Sequence, residues 1–360
     1  MPEVHPAVRR AGCWFLRSGI QEPDGGVARY YLVHEGRNAA VSTEITGYAV
    51  SALVYIAGKT GEARFLDAAL RAARFLTQAW DREIEAMPFE TARSNGTRPP
   101  SYFFDCGIIV RGLLAAWRAT AAEDLLEIAV KCGRAMARDF VENGVAHPIL
   151  TLPEKKPSPW EPRWSRRPGC YQLKSAMAWK DLEEATGSAE WAVYYEEAVR
   201  SALGGHSEFL PGSEDQEKVM DRLHAYCYFL EGLLPVANRA DVRGALDSGI
   251  ARTGELLRRI APVFARSDVY AQLLRVRLYA HALGNVALDE GAAREEAKAL
   301  AQFHCDSGEP RLKDGFWFGV KQGAELPFMN PVSTAFAMQA LESWHEHSDG
   351  EFRARRADLI

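Results

Sequence analysis

One pattern governs what this chain can become: an apolar segment of helical period followed by a more polar one, repeated along the whole length. The apolar members open near Glu44 (EITGYAVSALVYIAGKTG), Asp105 (DCGIIVRGLLAAWRAT) and Tyr171 (YQLKSAMAWKDLEEATG). Three more open near Leu223 (LHAYCYFLEGLLPVA), Asp268 (DVYAQLLRVRLYAHALG) and Val332 (VSTAFAMQALESWHEH). Short turns lead to amphipathic partners at 63–80, 122–140, 189–203, 242–260 and 290–304, and the stretch 5–20 can supply the sixth. A helix that is apolar all round is buried on every side, whereas one with a charged stripe lies outside. Twelve such helices in inner and outer pairs predict an all-α fold, an (α/α)6 toroid of six hairpins. It is expected to form one domain over 1–360, with helix 5–20 closing the ring against the C-terminal hairpin. A tetratricopeptide-type solenoid would repeat at shorter and more regular intervals. Short β-rich runs, VARYYLV at 27–33 and FWFGV at 316–320, fall inside long loops.

Composition removes several classes. The chain has 360 residues with 43 Lys+Arg against 48 Asp+Glu, a net charge of −5, and no long basic run. A nucleic-acid partner is therefore not expected. No segment approaches the roughly 20 apolar residues of a membrane span. Six dispersed cysteines without a paired CxxC, and an N-terminus lacking an apolar leader, give a cytoplasmic expectation with reduced thiols. There is no GxGxxG, phosphate loop, HExxH or GxSxG, and no Cys/His spacing for zinc, so neither cofactor nor metal is expected. The acidic run at 214–217 (EDQE) reads as a polar loop.

Loop length is lopsided. Inner-to-outer turns are short, but the returns, 21–43, 81–104, 141–170, 206–222 and 305–331, are long. Structureless loops of this length are usually functional or disordered. All of them meet at the mouth where the inner helices begin, and that mouth is the expected site. Glu44, Asp105, Tyr171 with Lys174, His224 with Tyr226, Asp268 with Tyr270, and Asn330 with Ser333 stand there on otherwise greasy helices. Capping accounts for Ser42, Asp268 and Ser333. Glu44 and Asp105 each head a helix with almost no other polar group for two turns, so their carboxylates should face the opening. His224, Tyr226 and Glu231 form a second candidate cluster, although a lone His on an apolar helix is commonly a core residue.

Two echoes link the chain ends: Val41-Ser42-Thr43 with Val332-Ser333-Thr334, and Asp24-Gly25-Gly26 with Asp314-Gly315-Phe316. Asp-Gly marks a tight turn, and Asp24 beside an opening could also hold a polar ligand. Tyr102, Trp160, Trp164 and Trp317 offer aromatic faces suited to sugar rings, or anchor the loops. Lys155, Lys156, Arg163, Arg166 and Arg167 add a basic cluster that fits an anionic saccharide.

On the residues FFDCGII, DGGV, STEITGY and NPVSTAFAMQALESW, the chain resembles the six-hairpin glycosidase-type superfamily over 8–347. That superfamily holds unsaturated uronyl hydrolases, polysaccharide lyases and sugar epimerases; the chain is also similar to uncharacterised toroid proteins of bacterial polysaccharide clusters. The resemblance implies a carbohydrate-active enzyme, a glycoside hydrolase or polysaccharide lyase, cleaving an acidic oligosaccharide by hydrolysis or elimination. Asp105 is similar to the aspartate that unsaturated uronyl hydrolases carry at an inner-helix start. It is assigned general acid/base work, with Glu44 as its carboxylate partner. For elimination, His224 or Tyr226 would take the proton beside a uronate carboxylate, which Asn330 and the third loop's arginines would neutralise. Asp24, Tyr102, Trp160, Trp164, Arg163, Tyr171, Lys174, Trp317 and Asn330 are the expected substrate contacts. A terpene-cyclase-like toroid and a non-catalytic saccharide-binding scaffold are the other classes, the scaffold requiring that every acid at the mouth be capped or paired.

Overall fold

The computed structural model describes residues 4–90, 98–210 and 216–360, without the side chains of 216 and 217. Six helices form the inner ring: α2 (Thr43–Thr60), α4 (Phe103–Thr120), α6 (Leu173–Thr186), α8 (Gln216–Leu233), α10 (Ser267–Gly284) and α12 (Pro331–Ser348). Each packs on the next and α12 packs on α2, so the ring is closed. Outside it lie α1 (Pro6–Arg17), α3 (Ala63–Ala79), α5 (Glu123–Ala135, continued by a π-helical turn), α7 (Glu190–Gly205), α9 (Ala240–Ile260) and α11 (Glu290–Ala301). The fold is the (α/α)6 toroid, and α1 packs against α12 and α2. Helix α8 starts at Gln216, two turns ahead of the predicted Leu223. Its first turns carry charge, which hides the start from a reading based on apolar runs. The acidic run beginning at Glu214 lies outside the described residues.

Local chemistry sets the helix ends. Ser42 caps α2 by accepting the Ile45 N–H, and Gly61 ends it in a left-handed conformation. The inner helices approach closely because glycine lines their contacts. A Cβ on Gly107 of α4 would lie 2.5 Å from Ser175 Cα on α6, so only glycine fits there.

The long loops are tied to one another at the rim by short antiparallel pairings. Tyr31 and Leu32 pair with Met329 and Phe328, joining the first loop to the last. Ser101–Tyr102 pairs with the segment Ile149–Thr151 of the third loop. Phe264–Arg266 pairs with Gly319–Lys321. At the other end of the ring the chain after α12 turns back inside. Leu359 and Ile360 are buried, with Arg111 donating to the Leu359 carbonyl at 2.8 Å and Lys174 and Arg275 donating to Ile360 at 2.8 and 3.1 Å. The end of the ring opposite the loops is therefore filled by the chain's own C-terminal residues. Lys174, expected at the mouth, belongs to this floor. Its Nζ sits 3.0 Å from Glu231, and both are fully buried. A long aliphatic stem lets the ammonium reach down to a buried counter-charge.

Candidate active site

Glu44 and Asp105 occupy the first turns of α2 and α4, neighbouring helices of the inner ring. Burial pushes the Glu44 carboxyl up to about 7, while the Arg29 guanidinium works the other way. Asp105 is raised well above the usual carboxylate range, first by burial and then by the Glu44 charge beside it. A helix N-terminus favours an anion by at most about 2 kcal/mol, whereas burial can move a carboxyl by several pH units. Burial wins here. Neither acid has a salt bridge among the described residues; Arg29 instead binds Glu90 at 2.5 Å. Two carboxyls that share a site and disagree in affinity for a proton can divide acid and base roles.

One turn deeper, Tyr48 on α2 and Tyr228 on α8 face each other from opposite helices of the ring. Burial raises both phenols well above the usual tyrosine range, and each perturbs the other across the ring. Phe104 packs on Tyr228 at 4.7 Å, Tyr171 on Phe104 at 6.2 Å, and Trp164 on Tyr171 at 4.9 Å in an edge contact. An aromatic wall thus climbs from the phenol pair to the rim. Tyr102 joins the site from the N-cap of α4, where burial and then the Asp105 charge hold its phenol protonated.

His224 sits across from the carboxyl pair. Its ring lies edge-on to Tyr228 at 4.6 Å. Nδ1 is 2.8 Å from Gln272 Oε1 and 3.3 Å from Asp268 Oδ2. Burial lowers its pKa, against the pull of Asp268. Asp268 is held ionised: burial would raise it, but Arg266 outweighs that with hydrogen bonds of 3.0 and 2.6 Å to its two oxygens.

The remaining expected contacts scatter. Tyr226 faces away from the ring interior, its hydroxyl 2.9 Å from His206 Nδ1 and beside Gly249 of outer helix α9. Residues two apart on a helix point in opposite directions, so His224 and Tyr226 cannot share a site. Asp24 is exposed and accepts the Gly26 N–H at 3.0 Å, the bond of a tight turn. Asn330 caps α12 through the Val332 N–H at 2.7 Å. Arg163 and Trp160 are exposed, Trp160 lying beside His147. Trp317 is half-buried and packs into the core under the last loop. Within the basic cluster, Lys155 is paired with Asp139 and Arg166 with Glu161. The sequence reading missed Arg29, Tyr48, Tyr228, Arg266 and Gln272. Tyr48 and Tyr228 carried a signal, each lying four residues beyond a chosen one and so one turn down the same helix face.

No family model matches the sequence, nor does any curated protein. Solved structures do match in fold. The cellobiose 2-epimerase from Spirochaeta thermophila aligns at TM-score 0.68 with 14% identity, over 95% of this chain and 99% of its own. That of Bacillus thermoamylovorans aligns at 0.70 with 10% identity, over 93% and 98%. An α-1,6-mannanase of Salegentibacter, solved as an inactive variant with α-1,6-mannotriose, aligns at 0.58 with 10% identity, over 94% and 98%. The likeness is one of fold: a toroid spanning nearly the full length of each chain.

Proposed function

We propose that this protein is a carbohydrate-active enzyme that cleaves a glycosidic bond at the loop end of the toroid. The observation that carries this reading is the pair Glu44 and Asp105, side by side on adjacent inner helices and free of salt bridges among the described residues. Asp105, raised well above the usual carboxylate range by burial and by the Glu44 charge, serves as general acid to the leaving oxygen. Glu44, which titrates near 7, supplies the carboxylate that activates water or meets developing positive charge on the sugar. Arg29 keeps Glu44 from taking up a proton too readily. Phe104, Tyr171 and Trp164 give the sugar rings apolar faces to pack on, and the Tyr48 and Tyr228 phenols lie below them. A scaffold would have its mouth acids paired; among the described residues these two are not.

The substrate is an oligosaccharide, in keeping with the sugar-processing enzymes that share the fold. An acidic sugar would be met by Arg29, the cation that acts on both carboxyls and is paired with Glu90. A second reading has one specific support. The unprotonated nitrogen of His224 has no partner among the described residues and could take a proton from a sugar carbon, as elimination or epimerisation requires.

The test is turnover of a panel of neutral and uronic oligosaccharides by the native protein and by Asp105→Asn. Loss of turnover with retained sugar binding supports the assignment. Full activity in Asp105→Asn removes it. Activity that survives there but fails in His224→Asn selects the second reading.

A further inference from the structure

The two nitrogens of His224 stand in unlike settings. Nδ1 faces two acceptors, Gln272 Oε1 and Asp268 Oδ2, so it carries a proton. Nε2 bonds to no group among the described residues. An aspartate this close to an imidazole ordinarily draws a second proton onto the ring. The resulting imidazolium could not act as a base.

Arg266 stands against that outcome. It grips both oxygens of Asp268, Nε to Oδ1 at 3.0 Å and Nη2 to Oδ2 at 2.6 Å. Its remaining nitrogen donates to Asp221 Oδ1 at 3.0 Å, and the other oxygen of Asp221 accepts the Trp164 indole N–H at 2.5 Å. The guanidinium lies over the Phe318 ring at 4.5 Å. A buried arginine fixed from all these sides cannot swing away, and its cation offsets the charge that Asp268 directs at the histidine.

We propose that Arg266 is a positioning residue for His224. By holding both oxygens of Asp268 it keeps the imidazole neutral, with Nδ1–H turned to Gln272 and Nε2 bonded to no group among the described residues. Trp164 and Asp221 anchor that arginine to the third loop and to α8, so the loop takes part in setting the state of the histidine. The assignment rests on the reading of the mouth as the active site, but its test reads the imidazole directly and needs no substrate. The groups facing His224 are Asp268 and Gln272 from α10, Arg266 from the strand before it, Asp221 and Tyr228 from its own helix, and Glu44 beyond Tyr228.

The experiment is an NMR titration of the full chain with 15N-labelled histidine, the His224 signals assigned by their loss in His224→Asn. The native ring should show the Nδ1–H tautomer and stay neutral at pH 7. In Arg266→Gln the midpoint should rise by about one pH unit or more, as an uncompensated carboxylate within a few ångströms produces. Arg266→Lys keeps the charge without the fork and should give a smaller rise. An Nε2–H tautomer in the native protein, or a midpoint unmoved in Arg266→Gln, overturns the proposal. Should that variant not fold, Asp221→Asn serves instead. It leaves the Arg266 charge less compensated beside the ring, so the midpoint should fall, and an unchanged or raised midpoint overturns the proposal. A midpoint that moves as stated while His224→Asn retains full turnover would uphold the positioning and refute only the catalytic role of His224.

Discussion

Thr46 and Thr334 hold the same post on two different helices. Each lies four residues past its N-cap, Ser42 in α2 and Asn330 in α12. Each hydroxyl oxygen accepts the backbone N–H that follows an Asp-Gly turn, Val27 at 2.9 Å and Phe316 at 3.1 Å. The first and last hairpins therefore tie loop to ring by one device. The sequence echo points to this kinship but in another register, since it sets Ser42 against Ser333 where the fold sets Ser42 against Asn330. Both threonines are fully buried. Replacing either by Val leaves a buried N–H unpaired, at a cost of about 1–3 kcal/mol. Thr46→Val and Thr334→Val should each lower the urea midpoint, while Thr→Ser at either site largely preserves it. A Val variant as stable as the native protein would show that these bonds carry no weight.

The carboxyl pair makes stability depend on pH in a stated direction. With the Glu44 carboxyl lifted from 4.5 to about 7, and Asp105 raised as well, the folded protein binds protons that the unfolded chain has released. Stability therefore falls as pH rises through roughly 4.5 to 7, and the cost is fully present above the folded values. Asp105→Asn removes one of the two charges. At pH 8 it should be more stable than the native protein by about 1–3 kcal/mol, an advantage that shrinks toward pH 4.5. Denaturant titrations at several pH values measure this. A difference that is constant with pH would mean the pair is not buried together.

Helix geometry separates residues that the sequence grouped. His224, Tyr226 and Glu231 are close along the chain, but Tyr226 turns outward to His206, and Glu231 lies about 10 Å further down the axis, on the floor. Tyr228 is the true neighbour of His224. On an oligosaccharide that the native enzyme turns over, Tyr226→Phe should leave kcat/KM within about twofold. Tyr228→Phe should lower it tenfold or more, equivalent to about 1.4 kcal/mol of transition-state stabilisation. The reverse ranking would move the site to the outer side of α8.

What could be read beforehand, and what could not, divides along physical lines. The inner helices announce themselves because a helix buried all round has no polar face. Glu44 and Asp105 stand out for the same reason, as lone acids heading such helices. Arg29 and Arg266 do not stand out: both sit in rim segments, and only closure of the ring brings them to acids far along the chain. Lys174 misleads because its backbone is at the mouth while its ammonium is not.

That floor yields a ranking. Glu231 lies between two buried cations, in contact with Arg275 and 3.0 Å from Lys174. Burial draws the Lys174 ammonium down to about 7, with Glu231 opposing. Breaking a buried ion pair from one side costs about 3–5 kcal/mol, because the partner stays behind uncompensated. Lys174→Met leaves Glu231 matched one-to-one with Arg275, so its loss should fall at or below the lower end. Glu231→Gln strands Lys174 and Arg275 together with no side-chain anion between them, and should cost more. Urea unfolding of the two variants at pH 6, where Lys174 is charged, gives the order directly. If Lys174→Met proved the more damaging, the lysine would be acting through its packed stem and its bond to the Ile360 carbonyl rather than through its charge.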